Sequence, residues 1–317
     1  MNSRLIQAIL LLASIGNATA QDASLSRRDA ALPSALSLGI TPGERAIQAG
    51  TSPGASSVAA GPDQYGEQEI LARPNLWQPW TISTSFGGDW QSNGALSPTR
   101  TEPDYVLRHS ASARYTRKLT ESWYLDLGAA EQLVRYDEFD VLDYDRIDGD
   151  AGVLWITPPE WAPIFRNWVI STRASYYRLS EADHFSTELF ANTAVSGTLI
   201  RSFSLHRHHS LLFSLSGEVS AAATEDEVKR NEYAALLAWQ AQWSPRWETT
   251  LLARGAFFDY ERHDDVNLIG SLSIDYIFHK NLRLGLAGSW TQNLSNEPIF
   301  EYGNASAGAS LRLQLRF

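Results

Sequence analysis

The chain contains no cysteine in 317 residues, and its one methionine is the first residue. Stray thiols are a hazard in an oxidising compartment, so a cysteine-free chain is compatible with export. Beyond the N-terminus, no apolar run approaches the ~18 residues that a membrane-spanning helix needs, which excludes a helical membrane protein. A membrane β-barrel is not excluded, because alternating strands conceal their hydrophobicity in an ordinary overall hydrophobic content of 44%.

The chain also lacks an excess of basic residues, since 36 acidic residues outnumber 26 basic ones and the formal net charge is −10. A chain of this balance lacks the basic surface that nucleic-acid binding requires, so nucleic acid is not among the expected partners. Aromatic residues are abundant instead, with 11 Trp and 12 Tyr. Indole and phenol rings favour the interface between hydrocarbon and water, so this content favours a membrane location.

The N-terminus has the three parts of a secretory signal peptide. Arg4 supplies the positive charge, the apolar run at 5–13 follows, and Ala18 and Ala20 fit a signal-peptidase site. We therefore expect residues 1–20 to be removed, so that the mature chain begins at Gln21. That position is not cysteine, which argues against a lipoprotein. The alternative is an amphipathic N-terminal helix that stays attached.

Residues 21–77 have a different composition, dominated by Ala, Ser, Gly and Pro without helical or strand periodicity. Such a segment cannot bury enough apolar area to offset its backbone entropy, and we interpret it as a flexible periplasmic leader. The alternative is that part of it forms a plug inside the following domain.

Residues 78–317 alternate between apolar and polar side chains over segments of about 10 to 14 residues. Counting these segments predicts an all-β fold, a transmembrane antiparallel up-and-down β-barrel of about 12 strands. A soluble β-sandwich is the alternative, but its strands run to about 5 or 6 residues and its inward face tolerates few charges. Closure also leaves no edge strand with unpaired backbone groups in lipid.

The connections between these segments are predicted to be of two kinds. Short turns, such as 118–121, 244–246 and 279–281, are expected at the periplasmic end, and longer acidic loops, such as 136–145, 259–266 and 293–301, at the outer end. Aromatic residues accompany both kinds and predict two girdles. They are Trp123, Trp168, Trp243, Trp247 and Phe278 beside the turns, and Tyr136, Tyr177, Tyr260, Trp290 and Tyr302 beside the loops.

The polar set of each strand is expected to face the lumen. Its charged members are of both signs, so they could either pair with one another across a blocked core or line an aqueous path. Barrels of 8 strands are filled by their own side chains and barrels of 16 to 18 strands leave a channel, so a barrel of twelve strands is between these two cases. The predicted lumen-lining residues are Arg108, Arg114, Asp126, Asp148, Asp150, Arg173, Glu188, Glu218, Glu232, Arg254, Asp275, Arg283, Arg312 and Arg316.

The last segment is the clearest, with Leu313, Leu315 and Phe317 on its apolar face. It resembles the C-terminal strand of bacterial outer-membrane barrel proteins, which ends in Phe and is recognised by the barrel-assembly machinery. These three residues are thus the predicted assembly signal. With the strand pattern and the loop from Asn293 to Tyr302, residues 78–317 are similar to outer-membrane β-barrel porins.

That resemblance implies a cell outer-membrane location, contact with membrane lipid and lipopolysaccharide, and passive diffusion of small hydrophilic solutes, with no enzyme activity, cofactor or metal and with a homo-oligomer left open. A non-conducting structural or secretion-partner barrel is one alternative. A hydrolase is another, of phospholipase type with His109 and Ser110 or His184 and Ser186, or of protease type around His263, Asp264 and Asp265. The two aspartates could also bind a divalent cation. His206 and His208 could share a metal ion, although a basic periplasmic turn is the plainer interpretation.

Overall fold

The computed structural model describes residues 79–99, 101–158, 160–161, 168–182, 184–206, 208–224 and 229–317, without the side chains of 184–186, 204 and 206. The predicted signal peptide at 1–20 and the predicted leader at 21–77 lie outside these residues and remain predictions.

Twelve long antiparallel strands make up the described chain. They are β1 (Trp80–Gln91), β2 (Asp104–Lys118), β3 (Trp123–Tyr136), β4 (Tyr144–Ile156), β5 (Trp168–Glu181), β6 (His184–His206), β7 (His209–Ala223), β8 (Arg230–Ser244), β9 (Trp247–Tyr260), β10 (Asp264–His279), β11 (Leu282–Ser295) and β12 (Tyr302–Arg316). Two short 3-10 turns occur in the connections, at Asp140–Leu142 and Pro298–Phe300.

Each strand pairs with its neighbours in the chain, and β1 also pairs with β12, which closes the sheet into a barrel. Closure brings Trp80 and Phe317 together, where each backbone amide donates to the other's carbonyl at 3.0 and 3.2 Å. A closed sheet has no free edge, so all its strands find hydrogen-bond partners. The predicted up-and-down antiparallel barrel of about twelve strands is therefore confirmed.

The two faces of the sheet differ as the alternation predicts. Directly opposed residues of an antiparallel pair share a face, so the register assigns every side chain inward or outward. The outward set includes Leu311, Leu313 and Leu315, which are 46%, 38% and 39% exposed, whereas Ser310, which precedes them on the strand, is inward and buried. Among the described residues, no helix is long and apolar enough to cross a membrane.

The barrel has two ends, which we name by their connections. The turn end carries the connections at 119–122, 245–246 and 280–281, and the loop end carries those at 92–103, 137–143 and 296–301. Some connections of the loop end are shorter than the sequence predicted. In particular, β9 reaches Tyr260 and β10 begins at Asp264, so only three residues join them.

The predicted aromatic girdles are half right. At the turn end, Trp123, Trp243, Trp247 and Phe278 are outward and between 45% and 62% exposed. At the loop end only Trp290 of the predicted set is outward, at 50% exposed. The predicted tyrosines point inward instead, because each of them is paired across strands with an inward-facing residue. Those that point into the barrel are Tyr136, Tyr177, Tyr260 and Tyr302.

Candidate functional site

The lumen is the candidate site, and the register decides which side chains line it. Starting from Thr81 opposite Arg316 and Arg114, the inward set can be followed from strand to strand around the barrel. It contains all of the sequence-predicted lumen residues except Glu188. Those on the inward face are Arg108, Arg114, Asp126, Asp148, Asp150, Arg173, Glu218, Glu232, Arg254, Asp275, Arg283, Arg312 and Arg316.

Glu188 lies on the outward face, so its assignment to the lumen was wrong. The pairing of β5 with β6 shifts twice between Leu179 and Glu181. As a result Glu188 pairs with Ser180, whereas an unbroken register would pair it with Glu181. Its carboxylate accepts from the Arg178 Nε at 3.1 Å, and Arg178 is paired with the outward Ile147. A bulge moves every later side chain to the other face, and the alternation of one strand does not reveal it.

A charged cluster on β2–β5 is centred on Asp126. This carboxylate is 2% exposed and accepts from Arg114, from the Arg173 Nη2 at 2.6 Å and from the Thr116 Oγ1 at 2.8 Å. Arg114 Nη2 also reaches the Asp150 Oδ1, at 2.9 Å. All these groups lie on the inward face of the sheet. Each contact joins neighbouring strands or strands that are separated by one other strand. Paired and hydrogen-bonded in this way, the charges stabilise one another away from bulk water.

Gly128 makes room for this cluster. It lies inward on β3, directly between Arg114 of β2 and Asp150 of β4, and a Cβ there would come within 2.5 Å of the Asp150 Oδ1 and 2.7 Å of the Arg114 Nη2. Only glycine allows the arginine of β2 to cross β3 and reach the aspartate of β4.

Further ion pairs follow the wall elsewhere. Glu248 on β9 accepts from the Arg283 Nη1 on β11 at 3.0 Å and from Gln240. Glu232 contacts Arg254 and also Arg230, at 3.4 Å. Other inward pairs are Asp89 with Arg108 and Arg146 with Asp148. Four of these residues are not among the lumen residues predicted from the sequence: Asp89, Arg146, Arg230 and Glu248. Each of them nevertheless belongs to the alternating polar set of its strand, so the alternation could have identified it.

Hydrophobic side chains dominate much of the inward face of β3–β6, which we call the packed wall. Toward the loop end, Val134, Tyr144, Leu179 and Phe190 are each at most 4% exposed and cluster with Tyr177 and with Val106 of β2. Toward the turn end, Tyr124, Leu154, Val169 and Ile200 form a second buried cluster. The Asp126 cluster lies between the two. Sequence alternation identified these strands but not their apolar inward residues.

Small hydroxylated side chains dominate the inward faces of β1, β2, β11 and β12, which we call the hydroxyl wall. Neighbouring hydroxyls are joined across strands, at 2.7 Å for Ser83 with Ser112, 2.7 Å for Ser85 with Ser110 and 2.6 Å for Ser289 with Ser306. These serines are partly exposed, unlike the residues of the packed wall. Short polar side chains leave space beside this wall and can hydrogen-bond to water and to polar solutes.

Arginines gather where the hydroxyl wall meets the turn end. Arg283 and Arg312 lie directly opposite each other on β11 and β12, and Arg316 lies four residues further along β12 on the same inward face. Like charges opposed in this way destabilise a sheet unless an anion offsets them. Arg283 contacts Glu248, while the Arg312 guanidinium makes no hydrogen bond or ion pair within the described residues. Asp275, on the inward face of β10, interacts electrostatically with both Arg283 and Arg312, so the region carries three arginines and two carboxylates.

A polar cluster tightens the loop end near the hydroxyl wall. The His263 ring is stacked between Tyr260 and Phe300, with centroid distances of 4.3 and 3.9 Å. Asp265 lies beside it and accepts from the Asn293 Nδ2 at 2.8 Å, and the same amide donates to the Phe300 carbonyl at 2.9 Å. Burial lowers the pKa of His263, against the opposing charges of Asp265, Glu297 and Asp264.

Of the residues on which the hydrolase and cation-site interpretations depend, the structure brings His263 and Asp265 together, with the Nε2 and Oδ1 atoms 3.8 Å apart, and separates others. His109 is outward and contacts Thr84 at 3.2 Å, whereas Ser110 is inward and contacts Ser85, so the two do not face each other. Asp264 is exposed and Asp265 is inward and buried, so they do not share a cation.

The histidine-based alternatives are only partly testable. The side chains of His184, Ser186 and His206 lie outside the described residues, and His209 stacks on Trp239 at 5.6 Å. In the part of the chain that the structure describes, no three His, Cys, Asp or Glu side chains form a metal-binding group.

A closed antiparallel sheet with an apolar outer surface and a polar, charged interior defines a transmembrane β-barrel, porin-like in its architecture. No family model matches the chain, and no curated protein is significantly similar to it in sequence.

Several solved structures are distantly similar to this chain. An outer-membrane channel from Pseudomonas putida F1 is 11% identical, with 81% of this chain and 100% of that chain covered and a TM-score of 0.49. The NanC porin is 8% identical, with coverages of 73% and 100% and a TM-score of 0.44. LpxR from Salmonella typhimurium is 7% identical, with coverages of 74% and 99% and a TM-score of 0.42. With TM-scores below 0.5, these likenesses indicate no function for this chain, and its function depends on the residues of the lumen.

Proposed function

We propose that this chain is an outer-membrane channel through which small hydrophilic solutes diffuse passively. The observation that carries the proposal is the hydroxyl wall, a continuous polar lining that is partly exposed along a closed barrel. A lining of this kind replaces some of a solute's hydration without binding it tightly, which is what passive diffusion requires. The exposed apolar outer surface favours insertion in a bilayer, in contact with its lipids and lipopolysaccharide.

The arginines at the turn end refine the proposal toward anions. Solutes that move along the hydroxyl wall pass Arg283, Arg312 and Arg316, which outnumber the nearby carboxylates of Glu248 and Asp275. Positive side chains lining a passage raise the local concentration of anions and lower that of cations. The proposed channel therefore prefers small anionic solutes to cations of the same size.

Single-channel recording in planar bilayers tests the proposal. The purified protein is expected to give steady ohmic steps, with a reversal potential in a salt gradient that indicates anion preference. Arg312→Gln should shift that potential toward cations. Arg117→Gln is the matched control, because Arg117 is exposed on the outward face near the same end and should leave the potential unchanged. A bilayer that stays silent, with the protein shown to be inserted, contradicts the channel.

A non-conducting structural or secretion-partner barrel is the second candidate. The packed wall favours it, because its apolar inward clusters are buried and narrow the interior from one side. This candidate predicts silence in the bilayer without any hydrolysis of the surrounding lipid. Lipid turnover by the silent protein would instead indicate the enzyme.

A further inference from the structure

Most of the outward face is apolar, but between the strand ends β1–β3 interrupt it with three polar side chains. These are Thr84, His109 and Glu131, and the register places all of them outward. His109 is opposite Phe86, which is 58% exposed, and Glu131 is opposite Ala111 and Ile147, of which Ile147 is 46% exposed.

The carboxylate of Glu131 lies within the apolar band rather than at its margin. On its own strand, it follows Ala129 and precedes Leu133, eight residues beyond the girdle residue Trp123. Within the part of the chain that the structure describes, it forms no hydrogen bond or ion pair. An ionisable group facing lipid is costly, and hydrocarbon chains cannot offset that cost, so such a residue indicates a partner.

The surface around Glu131 is flat. Ala113, Ala129 and Gly149 lie side by side on β2, β3 and β4, with Ala111 next to them. A Cβ built on Gly149 would meet nothing within 4 Å, so no neighbouring side chain covers it. Small residues at a membrane-embedded surface let two backbones approach closely, which strengthens packing and polar contacts between them.

We propose that this patch, formed by Thr84, His109, Ala111, Ala129, Glu131 and Gly149, is the interface with a second copy of the chain. The patch carries both a donor, the imidazole of His109, and an acceptor, the carboxylate of Glu131. A two-fold axis along the membrane normal brings each patch against its own copy, so that His109 of one protomer meets Glu131 of the other and the reverse. A patch that is complementary to itself fits a second copy better than it fits a lipid, whose polar groups lie at the margins of the apolar band.

Disulfide trapping tests the interface directly, because the chain has no native cysteine. Ala129→Cys in vesicles should give a covalent dimer on oxidation. Leu272→Cys is the matched control, since Leu272 is also outward, at 47% exposed, but lies on β10 away from the patch. Absence of a dimer with Ala129→Cys, or equal dimer yields from both variants, overturns the proposal.

Charge exchange tests the pairing of the two residues. Dilution with lipid, followed by energy transfer between labelled copies, gives the dissociation constant of the dimer. His109→Glu alone and Glu131→His alone should each raise that constant by about tenfold or more, because each change removes both of the symmetric charge-assisted contacts. The double exchange should restore it.

Two controls accompany the exchange. Thr172→Leu, a polar-to-apolar change on the outward face of β5, should have no effect on the dissociation constant. The shift of the folded barrel in unheated gel electrophoresis identifies variants that fold. Folded single variants that dimerise like the wild type, or a wild type that is monomeric at every lipid dilution, overturn the proposal. The dimer is independent of conduction, so a silent barrel leaves this proposal intact.

Discussion

The packed wall and the hydroxyl wall lie side by side around one lumen and meet where β2 pairs with β3, yet they are built differently. On β3–β6, large apolar side chains and the Asp126 cluster fill the space beside the strands. On β1, β2, β11 and β12, small serines are joined in pairs and remain partly exposed. Both walls alternate with period two, so the same backbone supports two tasks. We infer that one wall stabilises the barrel and the other provides the passage.

The largest expected effect concerns the stabilising wall. Asp126→Ala removes the acceptor shared by Arg114, Arg173 and Thr116, and leaves two poorly exposed guanidinium groups with Asp150 as their remaining carboxylate. Breaking a buried ion pair from one side costs about 3–5 kcal/mol. Urea unfolding of the protein in phospholipid vesicles, followed by tryptophan fluorescence, measures this loss.

Ser289→Ala supplies the comparison from the hydroxyl wall. It removes one hydroxyl pair, with Ser306 at 2.6 Å, at a cost of about 1 kcal/mol, because the remaining hydroxyl can bond to water. Equal losses in the two variants would show that the walls do not differ in their contribution to stability.

The sequence predicts the closed barrel, its strand count and most of its lumen, because alternation depends only on the residues of one strand. It does not predict where the register shifts, and the bulges after Leu179 place Glu188 outward. Nor does it distinguish inward aromatics from a girdle. By the alternation of their strands, Tyr260 and Tyr302 belong to the inward-facing set. Because they are tyrosines beside loops, however, the sequence suggests that they lie at the membrane–water interface. The cluster around Asp126 depends on Gly128, whose role appears only when three strands are assembled.

The second effect concerns the passage itself. Ser289→Trp places a large ring on the hydroxyl wall, where the inward neighbours Ala287 and Thr291 are small, and should lower the unit conductance clearly. Leu286→Trp is the matched control, because it adds the same ring to the outward face of the same strand and should leave conductance unchanged. If the outward variant reduced conductance as strongly as the inward one, the passage would not follow this wall.

The smallest effect is expected at the loop end, where His263 holds the turn at 298–300 against the hairpin of β9 and β10. Burial lowers the pKa of His263 below its ordinary value of about 6.5, with Asp265, Glu297 and Asp264 opposing the shift. The packed state therefore prefers the neutral ring more than an open, hydrated state does. This stabilisation of the packed state is fully present at pH values above the ordinary pKa of histidine. It is lost as the pH falls from that value through the lowered pKa of the packed ring.

Acidification should accordingly loosen the contact between His263 and Phe300. Hydrogen exchange of the Phe300 and Glu301 amides, which donate to Glu297 and Pro298 at 3.0 and 3.2 Å, should be faster at about pH 5 than the ordinary pH dependence of exchange accounts for. His263→Phe keeps the stacked ring and removes the proton site, so its extra exchange at low pH should disappear. His279→Phe, a histidine change at the exposed turn end, should retain the response. A response that persisted in His263→Phe would assign it to the neighbouring carboxylates instead of to this ring.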